Sequence, residues 1–281
     1  MNRLKRHFRQ LLQIAFALFL FSSGGSAPAK AQAPVDKPLP FARGEQLVYL
    51  AEFKRSLLRG IDVAEFKFSA ETDDPRNSSS GEQRIRLSGD VATKGLFPKL
   101  VGFQFHQHVD SVVDANPFTV LRTNKLYEQN NRAWTSEAVF DHQSHKVVWT
   151  IHGANQTQSA QTSSAEFSEP VQDVLTVIYF VRTLPLEIGK TFDIPLSDAG
   201  RVFRFSVAVR ERKRINTVLG RVNAMRVEPT LFGEAGVVRR RGTLSIWITD
   251  DARRLPVKAQ LKVDMGTFDI SLKKVSYRQA Q

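Results

Sequence analysis

The chain has 281 residues, 40 Lys and Arg against 28 Asp and Glu for a net charge of +12, and no cysteine. The missing thiol excludes disulfide staples, thiol catalysis and a lipid carried on cysteine, so stability must come from burying a core. The length is ample for one such core, and in an all-β chain it requires no second domain.

Arg3, Lys5, Arg6 and Arg9 precede an apolar run from Leu11 to Phe21 broken by Gln13, and the small-residue stretch SSGGSAPAKAQA follows. That order reads as a secretory signal peptide over residues 1–31, cut after Ala31 in the Ala29-Lys30-Ala31 motif. The apolar core is too short for a membrane anchor, which needs about 20 residues. Its removal takes five of the 40 cations and none of the 28 acids, leaving +7, and no membrane span remains. A basic exported protein points to an anionic lipid or glycan, or to an envelope protein, as partner before nucleic acid. The same positive balance also serves solubility.

Residues 32–43 form a Pro-bearing extended lead, and a single β-barrel-like domain is expected over 44–278. Leu47, Tyr49, Ala51 and Phe53 share one strand face, and Ala64, Phe66, Phe68 and Ala70 share that of a partner across a turn at Gly60. After the turn-rich stretch TDDPRNSSSGEQ, Ile85, Leu87, Gly89 and Val91 alternate with polar residues. Phe103 and Phe105 face one way while Gln104, His106, His108 and Asp110 face the other. Further strands are expected near 120–127, 135–140 and 147–151. Residues 153–170, rich in Ser, Gln and Thr, read as a disordered link.

The stretch QDVLTVIYFVRTL, Gln172 to Leu184, lies between Pro170 and Pro185. From Val174 to Val181 only Thr176 is polar, so the segment must be buried on every side. Its β-branched residues would suit a strand, whereas Asp173 in the first turn, Arg182 in the last and the flanking prolines favour a helix over about 172–184. The β pattern then returns. Phe203, Phe205, Val207 and Val209 share a face, as do Val257, Ala259, Leu261 and Val263, and then Phe268, Ile270 and Leu272 beyond a turn at Gly266. Strands with one dry face make an antiparallel sheet covered on one side, and a strongly twisted sheet of about a dozen strands curls. The fold class expected is mainly β: a curved antiparallel sheet or open β-barrel-like domain with one central helix as its cover.

Three stretches, GEQLVY at Gly44, QDVLTVIYFVRTLPLEIGKTF at Gln172 and WITDDARRLPVKAQLKVDMGTF at Trp247, resemble the exported bacterial proteins of domain of unknown function family 3108. The resemblance covers about Phe41 to Tyr277. The family's central pattern is similar to Asp-x-x-Ser-x-x-Tyr-x-x-Arg, here Asp173, Thr176, Tyr179 and Arg182, with Thr in place of Ser. A spacing of three supports the helix. The resemblance implies an antiparallel barrel-like fold similar to that of envelope lipoproteins associated with capsule production, and it brings no catalytic residue.

His106, His108 and Asp110 could offer three ligands on one strand face, with Asp141, His142, His145 and His152 in the same third of the chain. A metal site needs such groups to converge, and residue types alone do not establish that. Arg210, Arg212, Lys213 and Arg214 form one basic cluster and Arg239, Arg240 and Arg241 another; brought together they would make an anion-binding rim, and kept apart they are solvated hairpin ends. Asp250-Asp251 suits a turn rather than an acid–base pair. No nucleophile elbow, zinc-helix motif, phosphate loop or dinucleotide fingerprint is present. The sequence therefore assigns no catalytic residue, no cofactor and no metal site, and leaves the ligand-binding residues open. It supports an exported, periplasmic, non-catalytic envelope protein that binds a lipid, glycan or protein partner on a curved sheet. The alternative is a metal-dependent envelope enzyme using the His106–His152 region.

Overall fold

A computed structural model describes residues 39–41, 43–55, 58–72, 83–95, 98, 102–153, 159–230, 242–264 and 266–278. The signal peptide expected over 1–31 and most of the extended lead lie outside them. The first half of the chain supplies β1 (Glu45–Arg55), β2 (Leu58–Thr72), β3 (Arg84–Thr93), β4 (Phe105–Ala115), β5 (Phe118–Gln129), β6 (Arg132–Asp141), β7 (Lys146–His152) and β8 (Gln161–Glu166). A helix follows, α1 (Thr176–Thr183). The second half supplies β9 (Thr191–Asp198), β10 (Arg201–Thr217), β11 (Gly220–Pro229), β12 (Gly242–Thr249), β13 (Pro256–Val263) and β14 (Gly266–Tyr277).

All fourteen strands join one antiparallel sheet in the order β8-β7-β6-β5-β4-β3-β2-β1-β14-β13-β12-β11-β10-β9. Each half is a simple meander, because consecutive antiparallel strands need only a tight turn between them. The halves are sewn together where β1 pairs with β14, Ala51 opposite Ile270 and Phe53 opposite Phe268. The edges are therefore β8 and β9, the two strands on either side of the helical connection. They are not hydrogen-bonded to each other, and the sheet is open there.

The cross-strand pairs place Leu47, Tyr49, Ala51 and Phe53 on the same face as Ala64, Phe66, Phe68 and Ala70, as the alternation required. Leu175, Val177, Tyr179, Phe180 and Val181 pack with Ala70, Ile85, Leu87, Val109 and Val113 of the first half and with Ile194, Val207, Val209, Met225, Val227 and Ile248 of the second. Contact with both halves fixes the concave side of the sheet, with α1 inside the curve. The close approach is set at Gly89, where an added Cβ would stand 3.0 Å from Leu175 Cδ1.

Two expectations need correction. The regular helix is shorter than 172–184, because Asp173 turns the chain before the helix and Pro185 follows its last turn, where Leu184 is already extended. The link over 153–170 is not wholly irregular, since it contains β8, paired with β7 from Lys146–Glu166 to Ile151–Gln161. β8 has no buried side chain to give it a pattern; its backbone ladder with β7 holds it in the sheet.

Candidate functional site

The helix enters the concave face through a buried polar knot. Asp173, wholly buried, accepts the backbone N–H of Leu175 at 2.8 Å and of Thr176 at 2.7 Å on Oδ1, satisfying donors that a helix start leaves free. Thr176 answers by accepting the Asp173 N–H on its hydroxyl at 2.9 Å. Asp173 Oδ2 takes the hydroxyls of Ser111, at 2.5 Å, and Thr123, so the cap is also fastened to β4 and β5. Just ahead, Gln172 donates from its side-chain amide to the Phe118 carbonyl at 2.9 Å, and its backbone forms a short parallel bridge with Leu196 on β9.

The other end of the column is an ion pair. Arg182 donates from both terminal nitrogens to Glu45, at 2.6 Å and 3.0 Å, and each side chain is 1% exposed. Arg182 also donates to the carbonyls of Pro40 at 3.0 Å and Arg253 at 2.9 Å. Phe41 lies under the guanidinium at 5.2 Å and meets the Tyr179 ring edge-on at 5.1 Å. Burial pushes the phenols of Tyr179 and Tyr49 far above the ordinary tyrosine range, so both stay neutral, and Tyr49 donates to the Pro256 carbonyl at 2.7 Å. Thus Asp173, Thr176, Tyr179 and Arg182 are all buried and face protein; they fasten the helix and are not open to solvent.

The open seam is held by side chains. Lys125 on β5 pairs with Asp198 at the end of β9, and its ammonium stands 4.8 Å from the centre of the Trp149 ring. Trp149 on β7 donates its indole N–H to Ser197 at 3.2 Å. Burial raises the Asp198 carboxyl to about 6, against the pull of Lys125 and with help from the Asp173 charge. The turn after β9 also touches β8, for a Cβ on Gly200 would collide with Ser163 Oγ.

Beside these contacts the concave face is apolar and incompletely covered. Val174, in the turn before α1, and Ile178 on α1 are half-buried while their neighbours are buried. Phe68 on β2, Phe203 and Phe205 on β10 and Ile246 on β12 pack against the same core and are half-buried too. Phe66, Tyr127, Leu244 and Ile270 repeat this state around a second cluster centred on Phe53, Phe105 and Phe268. One face of the sheet therefore keeps partly accessible apolar surface that the helix does not reach.

His106 and His108 share the Asp90 carboxylate, at 2.9 Å and 3.4 Å, but the described histidines form no common centre. His106 and His108 stand on the opposite, convex face of β4, where His106 meets Glu128 at 2.6 Å and Asp90 at 2.9 Å, and His108 meets Asp110 at 3.0 Å. Bonds to Asp90 and Glu128 raise the His106 pKa. His142 reaches the Val120 carbonyl at 2.6 Å, His145 lies against Phe167, and His152 pairs opposite Thr135. Among the described residues no group of three His, Asp or Glu side chains could hold a metal ion. In the basic cluster, Arg210 pairs with Glu228 at 2.9 Å and Arg212 with Asp250 at 2.6 Å, while Arg239, Arg240 and Arg241 lie outside the described residues. Asp251 closes the turn between β12 and β13, accepting the N–H of Arg253 at 3.1 Å.

Sequence reasoning missed Glu45, Ser111, Thr123, Lys125, Trp149 and Asp198. A polar residue at an inward position of an alternating strand was the available signal: Ser111 follows Phe105, Gln107 and Val109 on the dry face of β4, and Thr123 is its opposite number on β5.

The model of a family described as "Protein of unknown function (DUF3108)" matches residues 48–273. No curated protein matches the chain. Among solved structures the chain is similar to a β-barrel-like protein of domain of unknown function DUF1849 from Brucella abortus, with a TM-score of 0.53 and 10% identity over 85% of this chain and 100% of that one. A candidate exported protein with a YmcC-like fold from Bacteroides fragilis matches with a TM-score of 0.34 and 7% identity over 85% and 98% of the two chains. A candidate lipoprotein from Parabacteroides distasonis matches at 0.33 and 11%, over 86% and 100%. The first of these likenesses shows the fold, a barrel-like curved sheet.

Proposed function

We propose that this chain, which belongs to the DUF3108 family, is an exported, non-catalytic cell-envelope protein that holds an acyl chain against the concave face of its sheet. The observation that carries the reading is the set of half-buried apolar side chains packed against one core: Val174 just before α1, Ile178 on it, and Phe68, Phe203, Phe205 and Ile246 on the sheet. A ligand site is typically a largely preformed apolar concavity with few polar groups, and partly covered aliphatic and aromatic surface gains most from an apolar occupant. Export to the periplasm rests on the leader, where Arg3, Lys5, Arg6 and Arg9 precede the apolar run from Leu11. Among the described residues no helix is long and apolar enough to cross a membrane. The metal-enzyme alternative has less support, because His106 and His108 stand on the convex face, away from His142, His145 and His152.

The test is native mass spectrometry of the mature protein purified gently from its own envelope, with a fluorescent fatty acid as a second probe. Acyl-bearing adducts and saturable uptake of the probe are expected, and Ile178→Gln and Phe205→Gln should each weaken uptake while the protein still unfolds cooperatively. No adduct together with no uptake would overturn the reading.

A further inference from the structure

The hairpin of β10 and β11 outgrows its neighbours. β9 pairs with β10 only as far as Ala208, and β12 meets β11 only from Ala224, whereas β10 and β11 stay paired out to Thr217 and Gly220. Residues 214–223 therefore form a two-stranded arm beyond the ends of the adjacent strands. One side of the arm is seated: Ile215, Leu219 and Val222 pack toward the cluster of Leu47, Tyr49, Leu255, Val257 and Leu272. Cross-strand pairing of Arg214 with Asn223 and Asn216 with Arg221 puts these four on the other side, and all four are exposed.

The charges divide along the arm. At its base Arg210, Arg212 and Arg226 are each matched with an acid, Glu228, Asp250 and Glu211 respectively. Further out, Arg214 and Arg221 have no carboxylate partner among the described residues. The tip carries Val218, 55% exposed, among the few large apolar residues in that state. Arg43 and Arg278 are exposed at the same pole, where the chain enters β1 and leaves β14 beside the cluster on which the arm rests.

From this arrangement we infer that the arm docks the protein on an anionic lipid bilayer, with Val218 entering the headgroup layer and Arg214 and Arg221 pairing with lipid phosphates. Unpaired cations behind an apolar tip fit a surface whose negative groups overlie hydrocarbon. A polyanionic glycan would engage the cations and leave Val218 in water. The inference does not depend on the concave face, since the arm's exposed side is formed by different residues.

Binding of the mature chain to vesicles separates the cases, with phosphatidylcholine alone compared with phosphatidylcholine containing phosphatidylglycerol. Binding is expected only to the anionic vesicles, and it should fade at high salt, where screening lengths fall to about 3 Å. Each Lys or Arg near such a surface contributes roughly five-fold to partitioning, so R214Q/R221Q should bind about 25-fold more weakly. V218D should also bind more weakly, and because all three positions are exposed, thermal unfolding should match the parent. Equal binding to neutral vesicles, no binding to either, or anionic binding that both variants leave intact would each overturn the inference.

Discussion

Replacing Arg182 with Met should be among the most damaging single changes in this chain. The guanidinium and the Glu45 carboxylate are each 1% exposed and joined by two hydrogen bonds, so the substitution strands a carboxylate in the core. It also removes the donor from the Pro40 and Arg253 carbonyls. Removing one member of a buried pair costs about 3–5 kcal/mol, most of it the uncompensated charge left behind. For a domain of this size, each kcal/mol moves Tm by about 2–4 °C, so R182M should melt roughly 6–20 °C lower. Arg182→Lys should recover little, because an ammonium cannot reproduce the two-pronged contact with Glu45. The double variant R182M/E45M supplies the decisive comparison. With both charges gone, its loss should fall short of the summed single losses by about 3 kcal/mol in a denaturant-melt cycle. An R182M protein that melts within about 2 °C of the parent, or a double variant that merely adds the single effects, would refute the account of this pair as the fastening of the helix end.

Asp198 predicts a pH dependence. A carboxyl at about 6 in the folded chain against 3.8 ordinarily binds more protons folded than unfolded between those values, so it stabilises fully below the lower value and that contribution is lost as pH rises through 6. The loss is about 3 kcal/mol; the stability of the parent relative to D198N should fall by that order from pH 4 to pH 7 in urea melts, and parallel profiles would count against it. Gly200 sits at φ +78°, where a side chain is strained, and its Cβ would collide with Ser163 Oγ. Gly200→Ala should therefore cost more than the roughly 1–2 kcal/mol of the backbone strain alone. Adding S163G should restore the excess and nothing more, as read by Tm.

How much of this was legible follows from the range of each interaction. Strands with one dry face, such as Phe203 to Val209, declare themselves because the period of two is written in consecutive residues. The three-residue spacing of Asp173, Thr176, Tyr179 and Arg182 likewise places them along one helical turn after another, and all four are buried. β8 gave no such sign: Gln161 to Ser164 are exposed on both faces, and its partner on β7 is held by backbone bonds that any side chain permits. β9 failed for the opposite reason, since Phe192 to Asp198 are all buried and include Asp193, Pro195 and Asp198, residues that by type suit a turn. The pairing of Arg182 with Glu45 spans 137 positions, and only the curve of the sheet brings β1 to the helix end.

The break in the sheet has a specific cause in the chain's path. Among the described residues, a meander of fourteen strands with β1 joined to β14 leaves β8 and β9 as the strands whose pairing would complete the ring. The connection between them is spent on α1, and its lead-in takes the free edge of β9: Gln172 donates its N–H to the Pro195 carbonyl at 2.9 Å and accepts from the Ser197 N–H at 2.8 Å. β8 thus finds that edge already occupied, and the two sides of the seam meet through Trp149 and Ser197, Lys125 and Asp198, and Gly200 and Ser163. Side-chain contacts of this kind can separate singly, whereas a strand ladder opens cooperatively. The helical connection accordingly both covers the core and keeps the sheet from closing.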